Sequence, residues 1–367
     1  MTQVDAKDPP RWPTNAWYVA CLPDEIDGKP LGRRICGEPM VFFRSGDGTL
    51  GALEDFCPHR GAPLSLGFLR DDKLVCGYHG LEVNCTGRVT GMPGQRTGGF
   101  PPVRRYPVIE RYGFIWVWPG DPALANPAQL RHLAWAESDE WAYAGDRFHI
   151  RCDYRLMVDN LMDLTHETYV HTSSIGQREI DEAPVKTRAN KEEVVTSRFM
   201  NGVTAPPFLQ MALRGAGLPD TAPVDRWQIS RFTLPSSVSI EVGVALEGKG
   251  GYDAPDSEKV YAIVVDLITP ETETSHHYFW GMARRFAVKD AALTDSIREG
   301  QRKIFSEDVQ ILERQQDNLS HYPDRRLLLL NIDAGGARAR QMITKAIAAE
   351  GPVAHQRAAQ PELAAGG

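Results

Sequence analysis

The sequence has no apolar run close to the roughly 20 residues that a membrane-spanning helix needs, so a membrane partner is not expected. It has no cluster of Lys and Arg either. The 41 basic residues are outnumbered by 48 acidic ones, for a net charge of −7. Without a basic surface to neutralise phosphates, nucleic acid is not an expected partner. The opening segment, MTQVDAKDPPRWP, lacks a basic stretch followed by an apolar one. It does not read as a secretory signal, and a cytoplasmic location is expected. Cysteines are scarce: Cys21, Cys36, Cys57, Cys76, Cys85 and Cys152. A reducing cytosol argues against a disulfide framework, which leaves metal ligation or buried packing as their roles. Finally, the G-x-G-x-x-G string Gly46–Gly51 runs into the strand-like Leu50–Glu54 rather than opening a helix, so the chain is read as carrying no flavin or nicotinamide motif of its own.

What is present is the composition of a globular protein, 42% hydrophobic and 24% charged over 367 residues. That length suggests two domains rather than one core. Residues 1–13 read as a flexible tail. From Trp17 to about Pro119, short β-type runs such as Met40–Arg44, Leu50–Glu54, Leu74–Cys76 and Phe114–Val117 alternate with Gly, Pro and Asp. This spacing predicts a small antiparallel β domain over 14–121, closed by the turn Pro119-Gly120-Asp121-Pro122. A second domain is expected over 122–350. There Tyr154–Tyr169 and Ala291–Leu312 have helical periodicity, while Val194–Phe199, Val238–Val244, Val260–Ile268 and His277–Met282 are strand-like. The fold class is therefore α+β, with an all-β N-terminal domain followed by a helix-grip-like antiparallel sheet with long helices. The Ala-, Gly- and Gln-rich residues 351–367 read as a second flexible tail.

One constellation is Cys57-Pro58-His59-Arg60-Gly61 and, with 16 residues between His59 and Cys76, Cys76-Gly77-Tyr78-His79-Gly80. Each loop offers one thiolate and one imidazole. That suits a two-iron cluster with a Cys pair on one iron and a His pair on the other. Imidazole in place of thiolate leaves the cluster less negative and easier to reduce. A structural zinc site normally pairs cysteines as C-x2–4-C, which neither loop does. Cys21, Cys36, Cys85 and Cys152 have no paired histidine and read as packing residues.

The other constellation is Asn160, Asp163, His166 and His171. The first three follow each other at i, i+3 and i+6, a polar stripe on an otherwise apolar helix. Burying such groups without partners costs about 2–7 kcal/mol each, and a metal is one suitable partner. His171 is five residues beyond His166, about 140° round a regular helix, so the helix is expected to end or bulge between them. Two histidines and a carboxylate with open positions make the facial triad of non-haem iron(II) oxygenases. Asp308, in Ser306-Glu307-Asp308-Val309-Gln310, is the candidate carboxylate. From spacing alone, a helix cap or a surface cluster remains an alternative.

These motifs, together with Asn15–Cys21, Glu54–Gly67, Leu156–His171 and Asn331–Gly336, resemble the Rieske non-haem iron oxygenases over nearly the whole chain. The disulfide-forming cysteines of respiratory Rieske proteins are absent, which points to the oxygenase branch. The resemblance implies that Cys57, His59, Cys76 and His79 hold a [2Fe–2S] cluster, and that His166, His171 and Asp308 hold a mononuclear Fe(II). It implies that Asn160 sits beside the iron, and that Asp163 bridges from His166 to His79 of a neighbouring subunit in a homotrimer. The implied activity is O-demethylation in aromatic, lignin-derived compound catabolism. The expected substrate is vanillate or a related methoxybenzoate, with O2 and with electrons from NAD(P)H through a separate reductase. Alternatives are a free Rieske electron carrier, a ring-hydroxylating dioxygenase, and methyl oxidation of another aromatic acid. Arg198, Arg231, His276, His277, Phe279 and Trp280 are possible pocket residues, each more simply read as packing or surface.

Overall fold

A computed structural model of the chain describes residues 11–171 and 183–350. Residues 1–10 and the expected tail over 351–367 lie outside the described residues. The chain divides into two compact units. Described residues up to Leu130, joined by those from Ala346, make the first, and Arg131–Lys345 make the second. Among the described residues, no helix is long and apolar enough to cross a membrane.

Up to Leu130 the described part of the first unit is all β apart from short 3-10 turns. It contains three small antiparallel sheets. One joins Tyr18–Cys21, Phe114–Val117 and Val108–Arg111. Another joins Leu31–Ile35, Glu38–Arg44 and Leu50–Glu54. The last joins Phe68–Arg70, Lys73–Val75, Glu82–Val83 and Val89–Gly91. The strand Glu38–Arg44 shows why this region folds as it does. Its side chains alternate between faces. Met40 and Phe42 enter one apolar cluster with Cys21 and Cys36, and Val41 and Phe43 enter another with Cys57 and Cys76. Cys21, Cys36 and Cys152 are buried and Cys85 is half-buried.

The second unit is built on one seven-stranded antiparallel sheet. Its spatial order is Ala142–Ile150, Ser275–Arg284, Lys259–Thr272, Ser237–Leu246, Val224–Thr233, Glu193–Val203 and Lys186–Ala189. Register sets which side chains share a face. Trp280 and Asp266 are direct partners, as are Gln228 and Arg198. Their face receives the long helix Ala291–His321, whose Phe305 ring packs on Tyr278 and Trp280 with centroids 5.5 and 5.3 Å apart. The Asp290 side chain caps that helix by accepting from the Leu293 N–H.

The expected helix over Tyr154–Tyr169 is broken. One helix spans Tyr154–Met162 and a short one spans Glu167–Val170. The helix ends between His166 and His171, as expected, at Val170, and a further break falls before His166. Its cause is local: Asp163 Oδ1 accepts from the Thr165 N–H and hydroxyl, both at 2.7 Å, and this competes with continued helix. Among the described residues, two helices lie beyond the expected ones, Pro207–Gly215 and Ala334–Glu350. The second begins with Ala334-Gly335-Gly336, and its glycines sit against the ligand-bearing region. A Cβ on Gly335 would lie 2.4 Å from Thr196 Oγ1 and 2.8 Å from the Met162 carbonyl oxygen.

Gly335→Ala should therefore cost about 1–3 kcal/mol through overpacking. Gly300→Ala, mid-helix with nothing within 4 Å of its built Cβ, should instead gain about 0.5–1 kcal/mol. Thermal unfolding of both variants checks the pair, and equal effects would contradict this account of the packing.

Candidate metal centres

In the first unit the two cysteine–histidine loops are tight turns fixed by their own backbone. Gly61 N–H donates to the Cys57 carbonyl at 2.8 Å, and Cys57 N–H to that of Ala62 at 2.9 Å. The other loop repeats this, with Gly80 N–H to the Cys76 carbonyl at 3.0 Å and Cys76 N–H to that of Leu81 at 2.8 Å. Gly61 and Gly80 have φ of +70° and +74°, the left-handed region that side chains rarely adopt. The loops turn both cysteines into the core and both histidines outward. Cys57 and Cys76 are each 2% exposed, while His59 is exposed and His79 half-buried. The imidazoles lie edge to face with centroids 4.6 Å apart.

Burial pushes the Cys57 thiol up, and the adjacent Cys76 sulfur adds to this, while the backbone N–H groups of His59 and Arg60 oppose it. Thiolates are the ligating form. Two buried sulfurs side by side, with N–H groups aimed at one of them, fit a cluster that accepts their charge.

In the second unit His166, His171 and Asp308 come together, with one ligand atom from each lying within 4.8 Å of the others. His166 Nε2 and His171 Nε2 stand 3.5 and 3.4 Å from the same oxygen, Asp308 Oδ1. The opposite ring nitrogens face other carboxylates: Nδ1 of His171 bonds Glu307 Oε2 at 2.8 Å, and Nδ1 of His166 lies 3.8 Å from Asp163 Oδ2. The Glu307 hydrogen bond orients the His171 ring, Asp163 stands as an ion-pair partner behind His166, and both Nε2 atoms are left for a metal. Asn160 Nδ2 donates to Asp308 Oδ1 at 3.0 Å, and Asn160 Oδ1 is buried without a hydrogen-bond partner. Two imidazoles and a buried carboxylate meeting at one point, beside an unpartnered amide oxygen, fit a mononuclear iron(II) with open positions.

Burial alone would lower both imidazole pKa values. For His166, Asp163 and Asp308 outweigh burial and raise it; for His171, Asp308 and Glu307 do the same. Asp163 also feels burial first, but His166 and Thr165 bring its carboxyl below the usual range.

Glu307 is a residue that sequence reasoning missed. It neighbours Asp308 on a polar helix, and nothing in that pattern separates it from a solvated charge. Asp266 was missed too: it is fully buried, accepts from the Tyr278 hydroxyl at 2.6 Å, and burial pushes its carboxyl up to about 7. The possible pocket residues have other engagements. Arg231 pairs with Glu241 and Glu193. His276 bonds the Cys152 carbonyl at 2.9 Å. Trp280 packs between Phe148 and Phe305. Phe279 and His277 are buried within the same strand. Over the middle of the sheet, Ile240 and Val242 share the face of Ser230 and Gln228 yet are only half-buried, so space opens there.

The Rieske [2Fe-2S] domain family matches residues 16–107, and the vanillate O-demethylase oxygenase C-terminal domain family matches residues 150–349. Vanillate O-demethylase oxygenase subunits from two Pseudomonas strains are 65% and 61% identical. They cover 92% and 90% of this chain and 96% and 98% of their own length. A crystal structure of dicamba monooxygenase bound to 3,6-dichlorosalicylic acid superposes with a TM-score of 0.85 at 34% identity, over 92% of this chain and 98% of that one.

Asp308→Ala should lose mononuclear iron while the visible cluster spectrum persists; unchanged iron content would remove Asp308 from the ligand set. Glu307→Ala should weaken ferrous binding about 10–100-fold. Protons compete for the same imidazole nitrogens, so binding by the parent should weaken as pH falls through their raised range. Titration of the iron-stripped protein at several pH values measures both effects, and a pH-independent affinity would contradict the assigned ligands.

Proposed function

The chain belongs to the vanillate O-demethylase oxygenases, a branch of the Rieske non-haem iron oxygenases, and from that premise we propose that its substrate is vanillate or a related methoxybenzoate. It is the oxygenase component of a Rieske-type O-demethylase, an enzyme that uses a [2Fe–2S] cluster and a mononuclear iron. With vanillate the balance is vanillate, O2, NAD(P)H and a proton giving protocatechuate, formaldehyde, water and NAD(P)+. The observation that carries this reading is the convergence of His166, His171 and Asp308 in a chain that also presents paired Cys and His loops.

In this reading Cys57, His59, Cys76 and His79 hold the cluster, and His166, His171 and Asp308 hold the iron. When bound, these groups supply electron transfer and O2 activation at a methyl C–H bond. The chain's own residues do the rest. Glu307 holds the His171 ring by its Nδ1, and Asn160 steadies the Asp308 carboxylate. The half-buried Ile240 and Val242 offer an apolar surface on which an aromatic ring could rest. Asp163 keeps a 29% exposed carboxylate beside His166. In a head-to-tail homotrimer that carboxylate would accept from His79 of the neighbouring subunit, joining one cluster to the next iron. The exposed His59 and half-buried His79 leave the imidazole edge of the cluster accessible to a separate reductase. The enzyme would work in the cytoplasm, where that reductase draws on NAD(P)H.

The test is purified chain with a compatible reductase, NADH and a panel of methoxybenzoates. Stoichiometric formaldehyde and protocatechuate from vanillate are expected. A cis-diol without formaldehyde, or turnover confined to a different methyl aryl acid, would contradict the proposed substrate. Asp163→Asn should keep both metals yet slow electron arrival at the iron, seen in rapid-mixing spectra of the cluster; an unchanged rate would discard the bridging role.

A further inference from the structure

The helix Glu167–Val170 has His166 and His171 at its two ends. Isolated helices shorter than about 12 residues are marginal in water, so something outside it must fix it. That something is a buried polar network reaching from the helix to the sheet. Gln228 Nε2 donates to both carboxylate oxygens of Glu167, at 2.8 and 2.9 Å. Arg198 donates to Gln228 Oε1 from Nε at 3.1 Å and from Nη2 at 2.5 Å. The same Nη2 lies 3.4 Å from Glu167 Oε1. All three residues are sealed from solvent: Arg198 is 1% exposed, Gln228 3% and Glu167 6%. Arg198 and Gln228 face each other across adjacent strands, so their spacing is set by sheet register rather than by side-chain choice.

We propose that Arg198 and Gln228 are positioning residues for the mononuclear iron, acting through Glu167 to fix the turn that presents His166 and His171. The proposal rests on the reading of His166, His171 and Asp308 as iron ligands. Stability alone does not call for such a network, because apolar residues of similar volume often match a whole buried ion pair, although removing one partner is costly. What it supplies is direction. Two donors grip one carboxylate, and that carboxylate belongs to the residue after His166. A metal site tolerates misplacement of only about 0.5 Å in its ligands. The network also neutralises charge. Arg198 compensates Glu167, so the carboxylate nearest His166 in the chain adds no net negative charge beside Asp308.

The strands themselves carry the mark of this role. In Glu193–Val203 the residues facing the helices are Val194, Thr196 and Arg198, and in Val224–Thr233 they include Gln228 and Ser230. A guanidinium at an inward position of a sheet is costly unless its partners are built in. Here the partners come from a neighbouring strand and from the ligand-bearing turn.

The experiment measures how fast a ferrous chelator strips mononuclear iron from full-length, cluster-containing protein. The variants are Arg198→Met, Arg198→Lys and Glu167→Gln, with His166→Ala as the reference for lost ligation. Cluster absorbance and the melting temperature of the iron-stripped protein report the fold. Iron release about 10–100-fold faster in Arg198→Met and Glu167→Gln is expected, with Arg198→Lys between them and the parent, and with the cluster spectrum intact. If the melting temperature falls while iron is held as tightly as in the parent, the network is merely structural and the proposal is overturned. If Arg198→Met does not fold, the nearly isosteric Glu167→Gln decides by the same criterion. Should His166→Ala keep its mononuclear iron, the ligand reading itself fails. If only His166→Ala loses it, the ligands stand and the positioning role falls.

Discussion

Two imidazole nitrogens facing one buried carboxylate oxygen, 3.5 and 3.4 Å away, is the arrangement on which the second unit turns. Asp308 is 3% exposed, and Asp163, Glu167 and Glu307 stand around the same two histidines. Such a concentration of carboxylates in a poorly solvated place repels itself unless positive charge sits among them. Arg198 answers Glu167. The rest is balanced by protons on the imidazoles or by a cation, and the upward push on both histidines expresses the same demand. A divalent iron meets it at the point where the Nε2 atoms already face.

The fold holds these groups from several directions. Asp308 comes from the long helix laid across the sheet by Phe305. Asn160 comes from the helix Tyr154–Met162, and the histidines from the turn that follows it. The closely packed Gly335 presses on the carbonyl of Met162, at the end of that helix. Each support is an ordinary interaction: a ring contact, an amide hydrogen bond, a glycine where no side chain fits. Together they leave the ligand turn little freedom. The cluster loops of the first unit use the same economy, with short backbone bonds closing each turn and the cysteines serving as core residues.

Much of this was legible in the sequence, for identifiable reasons. The pairing of Cys57 with His59 and of Cys76 with His79 is local, and local spacing survives folding. The apolar run in Met40–Arg44 marked a strand because both of its faces are packed, and Val260–Ile268 showed alternation where Tyr261 and Ile263 stay half-buried between buried neighbours. The continuous helix over Tyr154–Tyr169 failed where a side chain outbid the backbone: Asp163 took the Thr165 N–H, and the polar stripe Asn160, Asp163, His166 became a helix, a cap and a turn. Glu307 and Gln228 were illegible as site residues, because their meaning depends on contacts spanning 136 and 61 residues. Arg198 stood out as a possible pocket residue, but its partners did not, since Gln228 and Glu167 lie 30 and 31 residues away. Arg198 sits at an inward position of an alternating strand, where a charge calls for a buried partner.

The central claim is that one chain carries both a mixed-ligand diiron cluster and a separate ferrous site. Metal and sulfide analysis of anaerobically purified protein, read together with its visible and electron paramagnetic resonance spectra, tests it most directly. The account predicts about three iron atoms and two sulfides per chain, with the signature of a His-ligated [2Fe–2S] centre. Two iron atoms alone, or zinc without sulfide, would contradict it.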